Sequence, residues 1–220
     1  MADPSITVHH PRRDDRGRPV AIRQPSIASP LEQWLDPVAI AVAVPGGPAP
    51  AALNGIALEA WPEPAGWADH SPWSDPDGSA TFGEPPFEPP AGLAPAAGVV
   101  TLETDGRVWL VAPTNGYGGY KLTFPKGKLE PGTGHRAAAR KEAWEESGLR
   151  VELTAFLADV PRSTSHTRYY LARRVGGTPA EMGWESQAVW LVPLLRLAEV
   201  ATHPNDRPLL AALAALRSAR

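Results

Sequence analysis

Three glutamates carry the first chemistry that can be read from the chain. Glu142, Glu145 and Glu146 stand at i, i+3 and i+4 in residues 134–147 (GHRAAARKEAWEES), a run of good helix formers followed by Gly148, a normal helix stop. At about 100° per residue the three carboxylates share an arc of roughly 100° on one helix face. Like charges so placed repel, and the repulsion grows where a partly closed site lowers the effective dielectric. A hard divalent cation converts that repulsion into binding: magnesium takes oxygen ligands, keeps several waters and binds substrate phosphate beside one or two carboxylates. Upstream, Gly127, Gly132 and Gly134 allow a tight loop to approach that face, while Lys126 and Lys128 bring cations suited to phosphate oxygens. The plainer alternative is a solvated acidic face in which Lys141 pairs with Glu145 at i, i+4.

The wider segment, residues 125–149 (PKGKLEPGTGHRAAARKEAWEESGL), resembles the Nudix hydrolase box G-x5-E-x7-R-E-U-x-E-E-x-G-U, in which U is aliphatic. Gly127, Glu142, Ala143, Glu145, Glu146, Gly148 and Leu149 agree without a gap. Thr133 stands where the family has glutamate, and Lys141 where it has arginine. The resemblance covers residues 96–220, a hydrolase domain, and leaves residues 1–95 outside as an arm. It implies an α+β fold, an α/β/α sandwich with a mixed β-sheet, in which the box forms a loop–helix–loop. It also implies metal-dependent hydrolysis of a nucleoside diphosphate linked to another group, a small-molecule phosphoanhydride. By position, Glu145, Glu146 and the Gly127 carbonyl would ligate magnesium or manganese. Glu142 would orient or deprotonate the attacking water, or share in metal binding. Some members take the base from a later loop; Glu185 is the candidate for that role here, and could equally be a surface acid. Thr133 could still cap the helix. Lys141 keeps the charge but loses the planar fork of arginine, so Glu142 would be aimed less rigidly. These departures keep open a second class, a Nudix-fold protein that binds a nucleotide without cleaving it.

For the substrate, residues 124–128 (FPKGK) and 169–173 (YYLAR) resemble members acting on dinucleoside polyphosphates, inositol pyrophosphates or oxidised nucleotides. Pro161 falls short of the proline position of ADP-ribose members, Tyr169 and Tyr170 overshoot the tyrosine position of diadenosine members, and the coenzyme A signature is missing. A dinucleoside polyphosphate-like substrate is preferred, with ADP-ribose, nucleotide sugars, oxidised dNTPs and inositol pyrophosphates as alternatives. Arg162, His166 and Arg168 could reach phosphates or be ordinary loop and edge-strand charge. Tyr117 and Tyr120 could stack on a base or only pack their Gly-rich loop. Trp144 points away from the carboxylate face, as a core residue would, and His135 opens the helix toward solvent.

The elements that must hold these residues follow from pattern. Thr104-Asp105-Gly106 separates residues 98–103 (GVVTLE) from 107–113 (RVWLVAP), which predicts a hairpin. Residues 120–124 predict a short strand stopping at Pro125. Further strands are expected over 151–160, 168–175 and 188–192, and a last helix over 209–216 (LLAALAAL). The order β-β-β-α-β-β-β-α is that of a layered α+β domain.

Composition separates the arm from the domain. Residues 1–98 hold 5 Lys/Arg against 12 Asp/Glu, a net of −7, and 18 of the 26 prolines; the remainder carries +4, giving −3 for the 220 residues. Proline at that density excludes long helices and central strands. Residues 71–95 read as extended connection and residues 1–30 as a mobile tail. Trp34, Trp61, Trp67 and Trp73 imply that the arm packs on something. Residues 38–44 (VAIAVAV) and 56–61 are expected to pair as strands. The first is an exposed apolar run that calls for a partner, so a homodimer is expected. With no cysteine, disulfides, thiolate metal sites and cysteine nucleophiles are excluded, which suits a reducing cytoplasm. No run reaches the roughly 20 apolar residues of a membrane span, and no secretion signal is read at the N-terminus. The mild charge, and an arm both acidic and proline-rich, argue against nucleic acid as a partner.

Overall fold

The apolar runs of the domain are unbroken because the strands they form are covered on both faces. The computed structural model describes residues 7–62, 64–66, 73 and 82–218, so Trp67 and most of 71–81 lie outside the described residues. The arm contributes α1 (Leu31–Leu35), β1 (Ala41–Ala43), β2 (Ala52–Leu53) and β3 (Ile56–Ala57). The domain follows with β4 (Ala94–Thr101), β5 (Arg107–Pro113), β6 (Lys126–Lys128), α2 (His135–Ser147), β7 (Leu149–Pro161), β8 (Ser165–Gly177), β9 (Ser186–Pro193), α3 (Leu197–Val200) and α4 (Arg207–Ser218). Successive side chains of a strand point to opposite faces. Thus Trp109 and Val111 of β5, with Val189 and Leu191 of β9, pack in one core with Ala138, Ala139 and Ala143 of α2. Their neighbours Val108, Leu110, Ala188 and Val192 pack in a second core with Leu209 and Leu213 of α4. Helices therefore flank the strands on both sides, the layered α+β arrangement expected.

The mixed sheet runs β6-β4-β8-β7, with β4 and β8 parallel and the other pairs antiparallel. A second sheet runs β1-β9-β5, antiparallel throughout. Two expectations are corrected here. The Thr104–Gly106 turn forms, but β4 and β5 do not make a hairpin: beyond one bridge, Leu102 to Val108, they enter different sheets. Each strand is apolar on both faces and finds separate partners. The strand expected over 120–124 is reduced to a single bridge, Val111 to Thr123, and the regular strand lies past Pro125 at Lys126–Lys128.

The arm differs most from expectation. Residues 38–44 do not pair with 56–61, and they do not wait for a second chain. Ala41, Val42 and Ala43 pair with Leu191, Trp190 and Val189 of β9 and are buried there, so the apolar argument for a homodimer at this run lapses. Nor are residues 8–22 a loose tail: His9 bridges Ala21, and His10 N–H and Ile22 N–H donate to Val20 O and Val8 O, both at 2.8 Å.

Two buried arginines fasten the arm. Arg107 reaches the carbonyls of Gln33, Trp34 and Asp36 at the end of α1. Arg174 of β8 reaches those of Leu53, Ile56 and Ala57 in the β2–β3 hairpin, and its charge is met by Glu103 at 2.6 Å. A short arm without its own core leaves carbonyls unpaired, and a guanidinium with five donors can satisfy several at once. Trp61 and Trp73 pack on Trp144 of α2, with ring centroids 6.3 and 5.4 Å away, and Trp34 packs on Trp109 of β5 at 6.1 Å. His135 is likewise covered rather than solvent-facing, with Phe87 of the arm at 4.2 Å.

Candidate active site

The helix bearing the glutamates ends where expected: Gly148 adopts a left-handed φ of 70° and its N–H donates to Trp144 O. Its start differs, since Gly134 occupies the N-cap with no side-chain cap bond, and Thr133 does not serve as the cap. Glu142, Glu145 and Glu146 project from one face toward β6. The backbone N–H of Lys126 donates to Glu146 Oε2 at 3.0 Å. Gly127 lies so close to Glu142 that a Cβ there would fall 1.9 Å from Oε1. The spacing of box glycine and box glutamate is thus a contact, with the backbone of β6 forming a seat for the Glu142 carboxyl.

Glu185 joins them from the loop before β9. Gly183 N–H donates to the Glu145 carbonyl at 2.8 Å, while Thr114 N–H donates to Glu185 O at 2.7 Å. The Thr114 hydroxyl donates to Trp184 O at 2.6 Å. These bonds clamp Trp184-Glu185 between the end of β5 and α2, the helix that bears the glutamates.

Four carboxyls in so small a volume raise one another. Burial pushes Glu142 well above the usual carboxylate range, and Glu146, Glu145 and Glu185 add to it against Lys126. Burial likewise lifts Glu146 to about 7, opposed by Lys126 and reinforced by Glu185. Glu145 also stands at about 7, from burial opposed by Lys141, with Glu185 adding. Glu185 is raised by burial and by Asp15 of the arm. Lys141 makes the anticipated i, i+4 pair with Glu145 only at 3.8 Å, and is held at 2.8 Å by Glu130.

The donors are all hard oxygens, with Glu146 buried, Glu142 and Glu145 half-buried and Glu185 exposed, and this is the chemistry that suits a divalent cation. Among the described residues no group of three or more His, Asp or Glu side chains is gathered closely enough to hold an ion without adjustment.

Two cavities meet at this cluster. One, about 510 Å³, is lined by Tyr120, Lys126, Glu146, Arg162, Trp184 and Asn205 among others. The other, about 780 Å³, is lined by Arg12, Arg13, Glu142, Glu145, Lys141 and Glu185 among others. Lys126, Gly127, Lys128, Trp184 and Glu185 belong to both walls.

The remaining candidates separate. Tyr120 faces the smaller cavity, its ring stacked on His203 at 3.7 Å and its hydroxyl accepting from Arg162 and Asn205. Arg162 reaches the same wall, but its guanidinium is buried against Asp206 at 2.5 Å and donates to the Tyr120 and Tyr169 hydroxyls. Its charge is matched internally, which fits a residue that positions Tyr120. Arg168 is not brought to the cleft: it faces Asp159 through two bonds of 2.8 and 2.7 Å, and lines neither cavity. That corrects its placement, since in β8 it lies on the side covered by Phe87 and Pro86 of the arm. The side chain of Tyr117 lies outside the described atoms. Sequence reasoning missed Trp184, Asn205, Arg12 and Arg13; only Trp184, next to Glu185, offered a local signal.

Against known proteins, residues 92–213 match the NUDIX domain. A curated relative from Caulobacter vibrioides, named RNA pyrophosphohydrolase, is 34% identical over 99 residues, 44% of this chain and 54% of the relative. The chain thus spans about half the length of the curated relatives it matches. Among solved structures, a C. elegans Ap4A hydrolase is similar at 20% identity, over 56% of this chain and 96% of that one, with TM-score 0.45. An ADP-ribose pyrophosphatase from Streptococcus suis is similar at 20% identity over 56% and 91%, with the same TM-score of 0.45. No helix of the described residues is long and apolar enough to cross a membrane. With its box glutamates gathered against β6 and more than half of its length matching the domain, the chain belongs to the Nudix family.

Proposed function

We propose that the chain is a metal-dependent pyrophosphohydrolase cleaving the anhydride of a nucleoside diphosphate linked to another group. The observation that carries this reading is the convergence of Glu142, Glu145, Glu146 and Glu185 at the junction of two cavities. In this reading Glu145, Glu146 and the Gly127 carbonyl hold magnesium or manganese, with small side-chain movements completing the set. Held there, such an ion would supply positive charge to phosphoryl oxygens and would lower the pKa of a water. Lys126 and Lys128, present in both walls, take phosphate oxygens beside the scissile bond. Glu142, seated against Gly127, orients the attacking water, and either it or Glu185 accepts the proton. Residues 96–220 form the hydrolase unit and residues 1–95 an arm built into its walls; the reaction takes place in the cytoplasm.

A substrate resembling a dinucleoside polyphosphate is preferred, because a cavity lies on each side of the carboxylates and each can take one end of such a molecule. The name of the Caulobacter relative, an RNA pyrophosphohydrolase, adds RNA to the alternatives.

The test is a hydrolysis screen with magnesium or manganese, products resolved by chromatography. Its panel holds dinucleoside polyphosphates, ADP-ribose, nucleotide sugars, oxidised and normal dNTPs, inositol pyrophosphate and 5′-triphosphorylated RNA, with Glu146→Gln as control. Metal-dependent turnover absent from the control supports the enzyme. A folded protein that binds a nucleotide and cleaves nothing supports the second reading, a nucleotide-binding regulator. That reading is favoured by Lys141, which stands in place of the family's arginine and whose ammonium is held by Glu130 at 2.8 Å.

A further inference from the structure

The hairpin of residues 8–22 lies outside the matched family domain, which begins at residue 92, yet it supplies part of the wall of the larger cavity. Its strands are joined by a tight turn. The Asp14 carboxylate accepts from the N–H groups of Arg16 and Arg18 at 3.0 and 2.8 Å and from Arg18 Nε at 2.8 Å, and Gly17 N–H donates to Asp14 O. The turn is thereby fixed, and it is anchored to the loop that carries Glu185. Trp184 Nε1–H donates to Asp15 Oδ1 at 3.0 Å, and Gln24 N–H donates to Gln187 Oε1 at 3.2 Å. In this position Arg12 and Arg13 stand across the 780 Å³ cavity from Glu142 and Glu145.

Neither arginine is committed to a buried partner. Arg12 pairs with Glu181 at 2.7 Å, but the two side chains are 42% and 47% exposed. A pair so open to solvent is held weakly and can exchange for a phosphate. Arg13 uses Nη1 on the Gly17 carbonyl at 2.9 Å, one of its five donors. Guanidinium is the side chain best shaped to take two phosphate oxygens at once. Arg107, Arg162 and Arg174, by contrast, are buried on fixed partners.

We propose that the hairpin is a substrate-binding element in which Arg12 and Arg13 hold anionic groups beyond the hydrolysed anhydride. The substrate class is an anhydride whose far side carries further phosphates, and the proposal deepens the pyrophosphohydrolase reading on which it rests. The smaller cavity, walled by Tyr120 and Trp184, takes the less charged end. Selection is then by charge number: phosphates beyond the anhydride held at Lys126 and Lys128 meet the arginines of the same cavity wall, and a simple diphosphate has none to offer them.

The test uses the full chain and two inorganic probes, tripolyphosphate and pyrophosphate, titrated calorimetrically with and without magnesium. Arg12→Gln with Arg13→Gln is expected to weaken tripolyphosphate binding at least about tenfold while pyrophosphate changes much less, with the difference shrinking as salt is raised. Arg16→Gln removes a charge from the same hairpin at an exposed side chain that is absent from the cavity wall, in a residue that serves the turn through its backbone N–H, and should leave both affinities as they are. The inference is overturned if the double variant binds tripolyphosphate like the wild type, if Arg16→Gln matches it, or if the wild type binds tripolyphosphate no better than pyrophosphate. Hydrolysis separates the two proposals. Hairpin-dependent binding without turnover of any anhydride would end the enzymatic reading and leave this one standing. Turnover with a KM for polyphosphate substrates indifferent to both arginines would do the reverse.

Discussion

Replacing Gly127 by alanine tests whether the approach of β6 to α2 is what aims Glu142. A Cβ at this position would lie 1.9 Å from Glu142 Oε1 and 2.2 Å from Cδ, whereas ordinary contact begins at 3.4 Å. The carboxyl must therefore retreat by about 1.5 Å, well up the repulsive wall of the contact if it stayed. The obstacle is the end of a side chain rather than backbone, so the fold should survive with a loss of about 1–3 kcal/mol, typical of overpacking. The effect on rate is larger, because moving a catalytic group by about 1 Å can lower turnover on the order of a hundredfold. Steady-state kinetics on whichever substrate the screen identifies should show kcat down roughly a hundredfold, with KM changed less than about threefold. Urea unfolding run alongside should show a lower midpoint and an unchanged slope. Adding Glu142→Ala to Gly127→Ala removes the clash, so stability should return while activity does not. A Gly127→Ala enzyme with kcat within about threefold of the wild type would refute the idea that Glu142 acts from this seat.

Further outcomes follow from other contacts. Arg174→Met strands the buried Glu103 carboxylate and unpairs the Leu53 carbonyl, so urea unfolding should show a loss of about 3–5 kcal/mol, partly regained with Glu103→Gln; an equal loss in single and double variants would contradict this. Burial, the largest single influence, pushes Asp105 up, but the hydrogen bonds and charge of Arg107, joined by Asn54, together bring it below its usual 3.8. A carboxylate lowered on folding stabilises above its unfolded value and ceases to as pH falls through the folded one. Asp105→Asn should therefore be less stable than wild type at neutral pH, the gap closing below about pH 4; a gap independent of pH would be the contrary result. Magnesium at about 100 times its dissociation constant should raise stability by about 2.7 kcal/mol, measured by thermal unfolding, and chelation should reverse it. Glu146→Gln should lose most of that gain, and a full gain would remove Glu146 from the ligands.

What the sequence disclosed and what it hid divide by distance along the chain. Box glycine, box glutamates and helix stop lie within residues 127–148, and helical geometry alone places the three glutamates on one face, so their cluster was legible. The β4–β5 hairpin was misread because an apolar run does not name its partner: a strand covered on both faces can pair with any other such strand. The arm misled for a related reason. Proline density and acidity mark residues 1–95 as a stretch without long helices or central strands, but such a stretch can be held by donors from elsewhere. Arg107 and Arg174 read as ordinary charged residues in their strands until the carbonyls they serve, about 70 and 120 residues earlier, are brought beside them. Arg162 and Arg168 look equivalent as loop-proximal cations, yet one meets Asp206 at the cleft wall and the other meets Asp159 outside it. No local pattern distinguishes them.

The arginine pins also set an order of assembly during synthesis. The β2–β3 hairpin leaves the ribosome well before Arg174, which lies 121 residues beyond Leu53; at 5–20 residues per second the wait is roughly 6 to 24 s. β1 waits longer still, because its partner β9 comes after Arg174. For that interval Ala41, Val42 and Ala43 are present without the strand that covers them. The density of proline in the same stretch then has a use during translation: it denies the waiting segment the regular strand pairing through which nascent chains stick to one another.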